Sequence, residues 1–232
     1  MPTITFEHVH SFYEGGNDHK RIQALNDFCA VFENRKIHAI TGENGSGKST
    51  LLKCLCDFQP YEGHIFLEGK DVADILTKDR HIGYVPQESS LNPKQNVFEN
   101  ISFPLMIAKK KAEEIRLLTY AIAKDLKISQ LLNRKVSEIS KGQAQRVSLA
   151  KALVKEPEVC LLDEPFANLD RQNKEIGFSL LRKNLERKDF VCLLVTHDAL
   201  DALEFCDTIT TLDAGRCVSR KTKAIGAIRR KA

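Results

Sequence analysis

The sequence predicts an α/β fold with a mainly parallel core sheet, and three observations carry that reading. Strand-like and helix-like patterns alternate along the 232 residues. Two segments, Val159–Leu162 and Phe190–Thr196, are almost unbroken apolar runs, as parallel strands buried on both faces require. A glycine-rich loop, Gly42-Glu43-Asn44-Gly45-Ser46-Gly47-Lys48-Ser49-Thr50, lies between an apolar run at Lys36–Thr41 and a helical pattern at Ser49–Phe58. It reads GxxxxGK[ST] in strand–loop–helix context, the setting in which backbone amides at a helix N-terminus cradle phosphate.

Taken in order, Ile4–Val9 alternates well enough for a strand. A loop at Glu14-Gly15-Gly16-Asn17-Asp18 leads to a second strand-like segment around Phe28–Phe32. The strand at Lys36–Thr41 feeds the loop. Gly63–Gly69 and His81–Pro86 are short strands. Val97–Lys127 reads mostly helical with a break near Pro104, and Ile115, Leu118, Ile122 and Leu126 form its apolar face. Ser140 opens a helix to about Lys155 with Val147, Ala150, Leu153 and Val154 as its stripe. The remaining helices are Asn173–Arg187 and Ala199–Phe205, and Thr208–Val218 forms a hairpin turning at Ala214-Gly215.

Hydrophobic residues make up 42% of the chain, enough for a core, and charged residues 28%. The net charge of +4 is too small to suggest nucleic acid. The basic tail, from Arg216 through Arg220, Lys221, Lys223, Arg229, Arg230 and Lys231, reads as a solvated, partly disordered terminus or as a contact for an anionic membrane surface or acidic partner. No run approaches a membrane-spanning length, and the N-terminus lacks the pattern of a secretory signal. The seven cysteines form no CxxC pair and read as reduced core residues of a cytosolic protein.

Four groups carry chemistry. In the loop, Gly42, Gly45 and Gly47 permit tight turning, Asn44, Ser46 and Thr50 complete the cradle, Lys48 reaches the outer phosphates and Ser49 offers its hydroxyl to Mg²⁺. Cys160-Leu161-Leu162-Asp163-Glu164-Pro165 brings two acids to the end of a buried strand. Asp163 there suits Mg²⁺ and Glu164 a water attacking the γ-phosphate. His197 ends the next apolar strand; it can meet a γ-phosphate or simply cap the following helix. Ser140-Lys141-Gly142-Gln143 is a helix N-terminus able to bind a second phosphate, with Ser140 also serving as an ordinary N-cap.

Together these motifs resemble the nucleotide-binding subunit of ATP-binding cassette (ABC) transporters, from about Ile4 to Val218. Gln87 in Gly83-Tyr84-Val85-Pro86-Gln87 matches the Q-loop, and Ile139-Ser140-Lys141-Gly142-Gln143 the signature LSGGQ. Asn168-Leu169-Asp170 matches the D-loop, and His197 the switch histidine. The resemblance implies a P-loop NTPase core with an N-terminal antiparallel β lobe and an inserted helical subdomain at about 92–155, all within a single domain spanning 1–232 whose basic tail begins at about 216. It implies two copies sandwiching two MgATP head to tail, the loop of one facing Ser140, Gly142 and Gln143 of the other. Catalysis falls to Glu164, His197 and Gln87, the metal to Ser49, Gln87 and Asp163, and coupling of the two sites to Asp170. Tyr13 matches the adenine-stacking aromatic; Phe12 is a second register, and either can be core packing. Lys141 departs from the signature by replacing its first glycine, and either strengthens phosphate binding or faces solvent.

Within the family, Asn92–Ile101 and Asp163–Asp170 look like importer ATPases, and no permease span is fused. The expected protein is therefore an ATP-hydrolysing subunit on the cytoplasmic face of the cell membrane. It would serve separate transmembrane permease subunits, a second ATPase subunit and, for import, a solute-binding protein, with no nucleic acid. An exporter or mechanical membrane complex is the first alternative, and a soluble ABC ATPase acting on nucleic acid or a protein assembly the second. The sugar-importer branch is set aside because its usual C-terminal domain does not fit in the chain.

Overall fold

The computed structural model describes residues 3–14, 21–88, 90–167 and 169–223. The loop residues Gly15, Gly16, Asn17 and Asp18, Asn168 of the D-loop, and Arg229, Arg230 and Lys231 of the tail lie outside them. The chain divides into two units, Met1–Arg80 with Val191–Ala232, and His81–Phe190.

The first unit begins with β1 (Thr3–Glu14), β2 (Arg21–Glu33), β3 (Ile37–Thr41), α1 (Lys48–Leu55), β4 (Glu62–Leu67) and β5 (Lys70–Asp71). An antiparallel sheet runs in the order β2-β1-β4-β5. Its apolar face holds Phe6 edge-on to both Phe28 and Phe32, with ring centroids 5.5 and 5.9 Å apart. β1 and β2 extend several residues beyond the expected strands. Register shifts between Phe6 and Phe12 break the two-residue alternation, so the outer halves do not read as strand.

The second unit holds β6 (Ile82–Val85), α2 (Val97–Ile107), α3 (Ala112–Asp125), α4 (Lys141–Leu153), β7 (Val159–Asp163) and α5 (Arg171–Arg187). β6 and β7 pair in parallel, from Ile82 opposite Val159 to Val85 opposite Leu162. Gly83 lets α4 approach, because a Cβ there would sit 2.4 Å from the Ala152 carbonyl oxygen. α2 corrects the sequence reading: Pro104 lies inside it, and the break comes after Ile107. The proline forfeits one intrahelical donor. A capping box between Asn96 and Glu99 and the buried Val97, Ile101 and Leu105 outweigh that loss. Buried Asn100 adds two donated bonds, to the Asn92 and Asn96 carbonyls, and accepts one from the Asn92 amide. Ile122 and Leu126 on the expected α3 face are buried, and Arg187 of α5 pairs with Asp125 at 2.6 Å.

The chain returns to the first unit with β8 (Val191–Val195), α6 (Ala199–Phe205), β9 (Thr208–Asp213) and β10 (Arg216–Thr222). β3 pairs in parallel with both β8 and β9, and β9 with β10 antiparallel. All five residues of β8 are buried, as its unbroken apolar sequence requires. The expected disorder of the basic tail does not extend to Arg216–Thr222, because backbone pairing with β9 holds them as strand while their side chains stay exposed or half-buried. All seven cysteines are free; five are buried, Cys217 is half-buried and Cys29 exposed. Burial pushes the Cys54 and Cys56 thiols up to about 11 and 12. Among the described residues no helix is long and apolar enough to cross a membrane.

His38 on β3 is fully buried. One ring nitrogen lies 2.7 Å from Thr208 Oγ1, and the other donates to the Glu33 carbonyl at 2.7 Å. Burial holds its pKa down to about 4, against the raising effect of the Glu33 carbonyl. The unfolded chain takes up this proton near the ordinary histidine value, so stability from this residue is complete above that value and is lost as pH falls toward 4. Between pH 7 and 5 the loss should be about 2 kcal/mol. Urea unfolding of His38→Gln should show a correspondingly shallower pH dependence, and an unchanged slope would mean that His38 titrates normally in the fold.

Candidate active site

The phosphate loop joins β3 to α1, and its shape is set by backbone crowding. Gly47, the N-cap of α1, has φ 101°, and a Cβ there would lie 2.2 Å from the Ala24 carbonyl oxygen on β2. At Gly42 a Cβ would lie 2.3 Å from the Leu212 carbonyl oxygen on β9. Gly45, by contrast, has open space, so its φ of 82° is the reason for glycine there. Lys48 folds back across the loop, donating to the carbonyls of Gly42 at 2.9 Å and Glu43 at 2.7 Å. Ser46 Oγ is buried with no hydrogen-bond partner among the described residues. A cradle closed to an added Cβ at Gly42 and Gly47, with a buried ammonium and an orphaned hydroxyl, fits a phosphate oxyanion.

Tyr13 near the end of β1 meets this loop. Its hydroxyl is 3.2 Å from Thr50 Oγ1, and its ring lines a cavity of about 170 Å³ with Phe12, Arg21, Pro60 and Tyr61. Phe12 lies under the Arg21 guanidinium, 5.9 Å from its ring centroid, so Tyr13 is the aromatic in contact with α1. His197 follows β8 and is exposed. It is not the cap of α6: Asp198 is, accepting from the amides of Leu200 and Asp201.

In the second unit, Asp163 ends β7 at 2% exposure. Glu164 comes next, half-buried, with φ 49° in the left-handed region. Few non-glycine residues adopt that conformation, and it redirects the chain as it leaves the strand. Glu164, Gln87 and Lys141 line one cavity of about 220 Å³ with Gln145, Ser148 and Leu169. The unusual Lys141 is exposed and lines the same cavity as Glu164 and Gln87.

Ser140 and Gln143 form a reciprocal capping box at the start of α4: the Ser140 amide donates to Gln143 Oε1 at 3.0 Å and the Gln143 amide to Ser140 Oγ at 3.3 Å. The hydroxyl is thus an N-cap whose proton remains available to another acceptor. Gly142 is buried, and a Cβ there would sit 2.7 Å from Asn173 Oδ1. Asn173 is in turn held by both Asp170 oxygens, its amide at 2.9 Å and its Nδ2 at 2.8 Å. These bonds hold the Asp170 carboxyl below the usual carboxylate range. Sequence reasoning missed Asn173 because an asparagine in a helix's first turn reads as solvent-facing. It also missed the backbones of Ala24 and Leu212, which carry no sequence signal.

The sequence profile described as ABC transporter matches residues 25–167, and the chain belongs to this family. It is 34% identical over 216 residues to the uncharacterized ABC transporter ATP-binding protein YurJ of Bacillus subtilis, covering 93% of this chain and 57% of the relative. It is 35% identical to the glucose import ATP-binding protein GlcV of Saccharolobus solfataricus, with 94% and 62% covered. With the molybdate/tungstate import ATP-binding protein WtpC of Methanocaldococcus jannaschii it shares 38% identity, with 82% and 64% covered. The chain thus spans about three fifths of the length of the curated relatives it matches. Its fold superposes on the dimeric structure of MJ0796, a bacterial ABC transporter cassette, with a TM-score of 0.84 at 30% identity, covering 94% of this chain and 98% of that one.

Asp170 is the side-chain N-cap of α5. Asp170→Ala should lower stability, read as an earlier denaturant midpoint with an unchanged slope. A variant as stable as the parent would show that the cap and its bonds to Asn173 contribute nothing.

Proposed function

We propose that this chain is the ATP-hydrolysing subunit of a membrane transporter, and that the transporter imports a small solute. The observation that carries the proposal is the preshaped phosphate cradle at Gly42–Thr50. The import direction draws support from relatives named for import of glucose, molybdate/tungstate and sulfate/thiosulfate. Their printed solutes differ while the cassette is shared, which accords with solute choice residing in other subunits. A glucose-import protein is among these relatives, so length is no argument against the sugar-importer branch.

In this reading Lys48 leaves the loop carbonyls for the β- and γ-phosphates, and the loop amides bind the oxygens that gain charge. The ribose and adenine lie toward Tyr13. By the family resemblance, Ser49, Asp163 and Gln87 are the oxygen donors that would hold Mg²⁺. When bound, Mg²⁺ supplies charge neutralisation at the β- and γ-phosphate oxygens. Glu164 accepts a proton from the water that attacks the γ-phosphorus as the bond to the bridging oxygen breaks and ADP departs. His197 donates to the γ-phosphate, and Gln87 orients the water.

A second copy completes the site, its Ser140 hydroxyl and Gly142 amide donating to the γ-phosphate while Gln143 holds Ser140 in the cap. A similar structure is described as a post-hydrolysis state of a dimeric cassette bound to ADP and Pi, which supports this arrangement. Residues 1–232 act as one cassette, with the helical subdomain at about 92–155 receiving the permease and the segment from about 216 forming its basic end. The cassette is peripheral on the cytoplasmic face of the membrane, and a solute-binding protein delivers cargo on the other side.

Glu164→Gln should retain ATP binding, lose hydrolysis by about 100-fold or more, and elute as a dimer when ATP is present. A variant that hydrolyses normally, or stays monomeric with ATP, would sink the assignment. Ser140→Arg should abolish hydrolysis without weakening ATP binding to the monomer; full activity would mean that each copy works alone. Tagged protein recovered from detergent-solubilised native membranes should carry a multi-span permease. Recovery only with soluble nucleic-acid or assembly factors would overturn transport.

A further inference from the structure

Strands β1 and β2 both leave regular pleat geometry at one place away from the phosphate loop. His8 has φ 50° and Asp27 φ 53°, both left-handed, and the register between the strands shifts between Phe6 and Val9. The distortion gathers three side chains of different chemistry. His8 Nδ1 lies 2.7 Å from Asp27 Oδ1 and 3.8 Å from Cys29 Sγ. All three ligand atoms fall within 4.8 Å of one another. The His8 amide also donates to Cys29 Sγ at 3.2 Å, fixing where the sulfur sits. All three residues are exposed.

An exposed histidine–aspartate pair adds little to stability. Left-handed backbone recurs at other non-glycine residues of this chain, such as Arg35, Asp57 and Glu68, so at His8 and Asp27 it marks the bulge. What the distortion does produce is a convergent imidazole, carboxylate and thiol, with solvent on the open side.

We propose that His8, Asp27 and Cys29 form a three-ligand site for a borderline-soft divalent cation of the Zn²⁺ type. Nitrogen, oxygen and sulfur donors together suit Zn²⁺ and its Co²⁺ surrogate and disfavour Mg²⁺ or Ca²⁺. Tetrahedral geometry with ordinary Zn–S and Zn–N bonds places sulfur and nitrogen roughly 3.5 Å apart, close to the separation found here. The nitrogen–oxygen contact has only to open by a fraction of an ångström, and exposed side chains allow it. The Cys29 thiol gives its proton to solvent as the sulfur–metal bond forms, and the Nδ1 proton that His8 donates to Asp27 is exchanged through solvent for one on Nε2, so that the neutral imidazole ligates through Nδ1. Thiolate and carboxylate then balance the two positive charges, and a fourth position is left for water.

His10 is not one of the three converging ligands; its Nδ1 accepts from the Asp27 amide at 3.2 Å. The bound ion would tie β1 to β2 just beyond Ala24, whose carbonyl packs on the phosphate loop at Gly47. The site does not depend on the transport reading.

The test uses untagged protein titrated with Co²⁺, followed by the thiolate-to-cobalt charge-transfer absorbance, with Zn²⁺ affinity measured by competition against a chromophoric chelator. The wild-type chain should bind one equivalent and show the band, unaffected by excess Mg²⁺. Cys29→Ser should abolish the band. His8→Asn, which keeps a residue tolerant of left-handed backbone, should weaken Zn²⁺ at least about tenfold with an unchanged circular dichroism spectrum. No band in the wild type, a band surviving in Cys29→Ser (as it would with Cys217 as the ligand), or unchanged Zn²⁺ affinity in His8→Asn would each overturn the proposal.

Discussion

The close approach of backbone to backbone around the phosphate loop is the constraint on which the first unit depends. The Ala24 carbonyl of β2 and the Leu212 carbonyl of β9 occupy the space in which side chains at Gly47 and Gly42 would lie. The loop's shape at these two positions is fixed by backbone that leaves no room for a side chain. Neither contact would exist without the longer-range pairings. β9 reaches Gly42 because it pairs with β3, and the hairpin to β10 adds a bond from the Gly215 amide to the Ser46 carbonyl at 3.1 Å. The same hairpin holds β2 through the Asn26 amide, which donates to the Gly215 carbonyl at 2.9 Å. Strands distant in sequence thus clamp the loop, and its conformation is in place before any ligand arrives.

The second unit uses side-chain caps where the first uses crowding. The Ser140–Gln143 box starts α4, Asp170 starts α5, and Asn173 connects the two starts through its contact with Gly142. A motif that reads in one dimension as a serine, a lysine and a glycine is, in space, packed at Gly142 against an asparagine that is itself bonded to the cap of the next helix. A movement of α5 would be felt at Gly142 through a side chain that belongs to neither motif.

The parts of the fold legible in the sequence are those with local causes. β7 and β8 are written as apolar runs, α4 by its serine and stripe, and the phosphate loop by its glycines. The outer halves of β1 and β2 were illegible because bulges cancel the alternation that marks a strand. Pro104 misled because its cost is local while the burial that offsets it is not. The hairpin was legible from its turn at Ala214-Gly215, but its continuation past Val218 to Thr222 was hidden by basic composition, since strand pairing is made by backbone and is indifferent to charge. The candidate site divides in the same way. Residues of the motifs were all readable, whereas Asn173, Ala24 and Leu212 act through contacts that no spacing announces.

The left-handed backbone at Glu164 sets chemistry against conformation at a single position. Glycine and asparagine are the residues this backbone would tolerate with least strain, and neither has a carboxylate. Aspartate keeps the charge but is a methylene shorter. Substitutions that relax the fold here therefore remove or withdraw the acid, and those that preserve the acid preserve the strain. Selection for stability alone would erode this position, so in the proposed mechanism the residue marks a place where thermodynamic improvement and catalytic competence run in opposite directions.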